Sequence, residues 1–197
     1  SGTDRDNRTV ALSQSTDANG AYLFAGLVPG TYTVTEPDQP ANTRNGITVA
    51  GSTGGTATAV SVTPSVISAI VLDLDEASID NNFGEIASSS IAGRVYYDNN
   101  KNGIIDAGES GIANVTLQLT GNDDLSATVT PLSVVTDANG AYLFDNLRPG
   151  TYTVTEPTQP PDTTNGITTP GTVNGASMGL ATPVSTVPSA ISAITLT

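Results

Sequence analysis

The sequence predicts an all-β chain made of two tandem copies of one antiparallel sandwich domain, and three observations carry that prediction. Thr, Ser, Gly, Val and Ala dominate, and they suit strands and turns better than helices. Short β-branched and aromatic runs alternate with Gly, Pro and Asn clusters, the pattern of brief strands joined by tight turns. Most of these runs also occur twice. TDANGAYLF at 16–24 returns at 136–144, PGTYTVTEP at 29–37 returns at 149–157, and NGIT at 45–48 returns at 165–168, all at an offset of 120. ISAI at 67–70 returns at 191–194, an offset of 124, so the second copy holds a small loop insertion. A repeat of this length is a domain and is too long for a solenoid turn.

Taken in order, the strand candidates of the second copy are IAGRVYY (91–97), VTLQL (115–119), AYLF (141–144), TYTVTE (151–156) and AITL (193–196). Asn19-Gly20 and Asn139-Gly140 precede AYLF and predict hairpins, with Asp17 and Asp137 as structural turn residues. Pro29-Gly30 and Pro149-Gly150 predict a tight turn before TYTV. Ile91, Val95, Val115, Leu117, Leu119, Leu143, Tyr152 and Val154 are the expected core of the second copy. Superposing the copies divides the chain into 1–88 and 89–197. The first is expected to lack its N-terminal strands and the second its final strand, since the segment from about Asp73 to Thr120 occurs once.

Composition narrows function. The chain has no Cys, His or Trp, and Lys101 is its one lysine. Disulfides, thiol nucleophiles, imidazole bases and Cys or His metal ligands are therefore absent, and no paired carboxylates suggest glycosidase chemistry, so an enzyme is not expected. Nineteen acidic against six basic residues give a net charge of −13, which disfavours nucleic acid and suits divalent cations. No apolar run approaches the roughly 20 residues of a membrane-spanning helix, so no membrane insertion is expected.

One segment carries specific chemistry. In DNNKNGIIDAGE, residues 98–109, Asp98 stands at position 1, Asn100 at 3, Asn102 at 5, Gly103 at 6, Ile104 at 7, Asp106 at 9 and Glu109 at 12. That is the ligand spacing of a calcium loop. Side-chain oxygens at 1, 3 and 5 line a turn that needs glycine at 6. Position 7 gives only its carbonyl, so Ile104 can be apolar, and Glu109 can close the shell with both oxygens. No flanking helices are predicted, so the loop suits a staple between two strands and not a helix-opening sensor. A second acidic stretch with Asp73, Asp75, Glu76 and Asp80 reads as a solvated loop, with an additional calcium site as the alternative.

The succession GRVYYDNNKNGIIDAGESGIANVTLQLTG, TDANGAYLFDNLRPGTYTVTEP and NNFGE resembles the B-type (SdrD B-like) repeat domain of bacterial serine-aspartate repeat adhesins and other large surface proteins. The resemblance implies prealbumin-like or immunoglobulin-like antiparallel β-sandwiches of Greek-key type, stabilised by Ca2+ and arrayed as a stalk or spacer. It assigns Asp98, Asn100, Asn102, Ile104, Asp106 and Glu109 as calcium ligands. It implies an extracellular location, on a bacterial cell surface or secreted, with neighbouring repeats as partners. Related collagen-adhesin B-type domains carry Lys–Asn or Lys–Asp isopeptide bonds assisted by a Glu. Here Glu36 and Glu156 fall near that position, but no strand carries a lysine, so they are expected to be strand-end carboxylates. The alternatives are an adhesive domain that binds a host, matrix or glycan ligand directly, and a strand-exchanging filament subunit with homopolymeric assembly.

Overall fold

The computed structural model describes residues 1–184 and 186–197. All regular structure among them is β. The chain divides into two compact units, Ser1–Ile86 and Ala87–Thr197.

The first unit contains β1 (Gly2–Asp4), β2 (Thr9–Val10), β3 (Gly30–Glu36), β4 (Thr43–Val49), β5 (Thr56–Ala57), β6 (Ser65–Leu72) and β7 (Asn82–Ala87). One sheet has the order β2-β1-β3-β6-β5, and β4 pairs with β7 in a second. The second unit contains β8 (Ser89–Arg94), β9 (Thr116–Asp123), β10 (Thr128–Val135), β11 (Ala141–Leu147), β12 (Gly150–Glu156), β13 (Gly171–Val173), β14 (Ala176–Met178), β15 (Leu180–Ala181) and β16 (Ser189–Leu196). Its large sheet runs β10-β9-β12-β16-β15, a smaller one pairs β11 with β8, and β13-β14 is a separate hairpin. That hairpin turns at Asn174-Gly175, both at positive φ, and lies where the offset between copies grows from 120 to 124.

Strand alternation builds the core of the second unit. Leu117 and Leu119 of β9, Tyr152 and Val154 of β12, and Ile194 and Leu196 of β16 point to one face. Ile91 of β8 and Phe144 and Leu147 of β11 join the same cluster. Two core expectations need adjustment. Leu143 is 51% exposed, because it pairs with Ala92 on the outer face, whereas Phe144 pairs with Ile91 on the inner one. Val95 is only partly buried, since β8 ends at Arg94 and the predicted strand through Tyr97 stops there.

The repeated TYTV motif has a local cause. Tyr152 is 1% exposed and its hydroxyl donates to the Arg148 carbonyl at 2.8 Å, while Tyr32 makes the equivalent bond to Val28. Each tyrosine fills the core and ties down the preceding Pro-Gly turn. The glycines of that turn are fixed by crowding. A Cβ on Gly150 would lie 2.5 Å from the Asn122 carbonyl oxygen, and one on Gly30 would lie 2.5 Å from that of Thr3.

The predicted hairpins at Asn19-Gly20 and Asn139-Gly140 do not form as hairpins. Both turns are present, with Asp17 and Asp137 each accepting two backbone N–H bonds at 2.8 and 2.9 Å. In the second unit, however, β10 pairs with β9 and β11 pairs with β8, so the turn carries the chain from one sheet to the other. In the first unit AYLF forms no strand at all, and Leu23 is 71% exposed. The nine residues are identical in the two copies, so tertiary pairing and not local propensity decides the outcome.

Candidate metal centre

The loop 98–109 lies between β8 and β9. Its neck is closed by the Tyr96–Gly111 bridge and by Tyr97 N donating to the Ser110 carbonyl at 3.0 Å. Lys101, Gly103 and Gly108 take positive φ (61°, 73° and 94°), which folds twelve residues into a tight coil. Gly103 is also held sterically, since a Cβ there would meet Ile167 Cγ2 at 2.8 Å. Thr169 Oγ1 donates to the Gly103 carbonyl at 3.0 Å, so the segment 167–169 braces the loop from outside.

The structure brings the five predicted side-chain ligands into one network. Asp98 Oδ1 accepts from Asn102 N at 3.0 Å and Oδ2 from Gly103 N at 2.9 Å. Asn100 Oδ1 accepts from Asn102 N at 3.1 Å, and Asn102 Oδ1 from Ile104 N at 2.7 Å. Glu109 spans the loop ends, with Oε1 accepting from Asn99 N at 2.8 Å and Oε2 from Asp106 N at 3.0 Å. The Asn100 and Asn102 amides both donate to Asp106 Oδ2 at 2.7 Å. These two bonds hold the Asp106 carboxyl below its ordinary pKa. Burial raises the Tyr96 hydroxyl, and the charges of Asp98, Glu109 and Asp106 add to the rise.

This donor set is all oxygen and suits a hard cation such as calcium. Asp98, Asp106 and Glu109 supply charge, Asn100 and Asn102 supply amide oxygens, and Ile104, whose side chain is 63% exposed, has only its carbonyl to give. Among the described residues no three acidic side chains form a metal-holding group by themselves. The neutral oxygens would therefore have to complete any coordination shell. In the structure the Asn100 and Asn102 amide nitrogens, and not their oxygens, face Asp106 Oδ2.

The other acidic residues behave differently. Asp73, Asp75, Glu76 and Asp80 are exposed, and Glu76 Oε2 accepts the Asp73 N–H at 2.9 Å as a local turn. Glu36 ends β3 with its carboxyl pKa raised, first by burial and then by the neighbouring Glu85, with Ser65 opposing in part. Glu156 ends β12 and accepts from Ser189 Oγ at 2.8 Å and Gln159 Nε2 at 3.2 Å. Sequence reading missed the Glu85 partner and the Thr169 brace. Both are long-range contacts with no local signature beyond the NNFGE motif itself.

Comparison with known proteins gives the kinship. The SdrD B-like domain model matches residues 89–190. Serine-aspartate repeat-containing protein C of Staphylococcus aureus strains N315 and Newman is 37% identical to this chain over 142 residues, 71% of the chain. The chain spans about 14% of the length of these curated relatives. No solved structure matches it. A two-sheet antiparallel fold, a glycine-centred acidic loop between its first strands and this sequence match agree on one conclusion: the chain belongs to the SdrD B-like domain family.

Proposed function

We propose that the chain is a non-catalytic, calcium-stabilised structural repeat, a spacer or stalk segment of a large bacterial cell-surface or secreted adhesin. The observation that carries this reading is the loop 98–109. Its Asp98 and Glu109 carboxylates are held by the loop's own N–H groups, those of Asn102 and Gly103 and those of Asn99 and Asp106, and the loop joins β8 to β9. Bound calcium would replace the internal amide-to-carboxylate bonds and cross-link the connection between β8 and β9. Such binding adds directly to folding stability: at a free concentration about a hundredfold above Kd it contributes about 2.7 kcal/mol.

The spacer role is supported by the tandem repetition, by the kinship with repeat-containing proteins and by the absence of Cys and His from the chain. Neighbouring repeats are the expected partners, and an extracellular site supplies millimolar-range calcium to a loop with three formal charges. Isothermal titration with calcium tests this reading, together with limited proteolysis across residues 98–109. One site per chain is expected, abolished or strongly weakened in Asp98→Ala and Glu109→Ala, and chelator should expose the loop to cleavage. Absence of any calcium-dependent heat or protection would refute it.

A further inference from the structure

Of the residues in the loop 98–109, Gly103 alone is buried. Its cover comes from outside the loop, from the segment that carries Ile167 and Thr169. A Cβ added to Gly103 would stand 2.8 Å from Ile167 Cγ2, 3.2 Å from Ile167 Cβ and 3.2 Å from Thr169 Oγ1. The same segment passes Asp98, whose Cβ would lie 4.0 Å from a Cβ on Gly166. A buried backbone carbonyl needs a donor, and the Gly103 carbonyl takes one from Thr169 Oγ1 at 3.0 Å, 66 residues downstream. From within the loop, Gly103 N donates to Asp98 Oδ2 at 2.9 Å. Gly103 is thus held twice, once by a proposed metal ligand and once by a residue that belongs to another connection.

The peptide that joins Gly103 to Ile104 is fixed at both ends. Its carbonyl accepts from Thr169 Oγ1, and its N–H donates to Asn102 Oδ1 at 2.7 Å. The orientation of this peptide decides the course of the chain into Ile104, whose own carbonyl is the proposed backbone ligand. Charge acts the other way. Asp98, Asp106 and Glu109 repel one another when no cation lies among them, so the metal-free loop is drawn toward open forms. A contact made only by the closed coil opposes that opening, and it shifts the population toward the form that binds metal.

We infer that Thr169 and Ile167 are positioning residues for the proposed calcium loop: they hold the Gly103 turn in its closed form, and calcium in turn fixes the segment 166–169. The inference rests on the calcium reading and adds a second connection to it. Neither side chain is a ligand, so both act through the fraction of loops that are closed, which scales the apparent Kd. Coupling of this kind is reciprocal, and the affinity that the brace gives the metal returns as order in the brace. Calcium would therefore tie the β8–β9 connection to the one between β12 and β13. One neutral hydrogen bond of this type corresponds to about three- to tenfold in affinity.

The test titrates the whole chain with calcium by calorimetry, as the parent, Thr169→Val and Thr169→Ser. Thr169→Val keeps the shape and removes the donor, and it should raise Kd about three- to tenfold. Thr169→Ser restores the donor and should bind within about twofold of the parent. Amide hydrogen exchange of the parent is a second measurement that needs no substitution. Residues 166–169 should exchange more slowly in calcium than in EDTA, and Glu109→Ala should remove the difference. A hydroxyl that serves stability alone would lower the unfolding temperature of Thr169→Val in EDTA and leave Kd unchanged. That result would overturn the inference while the calcium reading stands. Exchange at 166–169 indifferent to calcium, in a parent that binds it, would do the same. A parent that takes up no calcium would overturn both.

Discussion

At the scale of single residues, buried hydrogen bonds and charges decide which side chains matter. The Tyr152 hydroxyl is the sole polar atom of a side chain at the centre of the second core. Tyr152→Phe should destabilise that unit by about 1–2 kcal/mol in urea unfolding, the cost of a buried carbonyl that loses its donor. Arg148 holds Asp124 with a two-pronged pair, Nε to Oδ1 at 2.6 Å and Nη2 to Oδ2 at 2.9 Å, and this bonding lowers the Asp124 carboxyl below its ordinary 3.8. A lowered folded pKa means stability that is present above the ordinary carboxylate value and is lost as pH falls through the folded one. Asp124→Asn should therefore remove part of the acid-limb loss in the second unit. Glu36 has the opposite sign. Its raised carboxyl favours the first unit below about 4.5, and that contribution fades as pH rises through the folded value. Glu36→Gln should flatten this dependence in pH-resolved thermal melts.

At the scale of elements, the duplicated motifs give the same local sequence two environments. AYLF is a strand only where β8 lies beside it, and NGIT is a strand only where β7 does. Alternation and turn chemistry were readable in the sequence, and they located β3, β6, β9, β12 and β16. The pairing of β11 was not readable, because an Asn-Gly turn has the same signature whether it joins neighbours in one sheet or bridges two. The misplaced Leu143 has the same origin: a four-residue run does not reveal which phase faces inward until the partner is known. ISAI is clearer in hindsight. Its alanines, Ala69 and Ala193, sit at φ 56° and 55° where the registers of β3–β6 and β12–β16 shift, so the repeated motif encodes a β-bulge. Left-handed backbone costs an L-residue about 1 kcal/mol, and Ala193→Gly should raise the stability of the second unit by up to that amount in denaturant unfolding.

At the scale of the whole chain, two units of one design differ in their means of stabilisation. Ten apolar side chains form the buried cluster of the second unit and three that of the first among the described residues. Burial contributes about 25 cal/mol per Å², so the first unit should unfold at the lower temperature. The spacing of the proposed ligands in 98–109 was legible because all of them lie within twelve consecutive residues. The brace from Thr169 was not, because it depends on a residue 66 positions away. Calcium should act on the second unit alone. Differential scanning calorimetry of the chain and of Glu109→Ala, each in calcium and in EDTA, tests that directly. Two transitions are expected, with calcium raising the upper one by about 10 °C in the parent chain and leaving the variant and the lower transition unmoved. An upper transition indifferent to calcium, or an equal shift in Glu109→Ala, would contradict it.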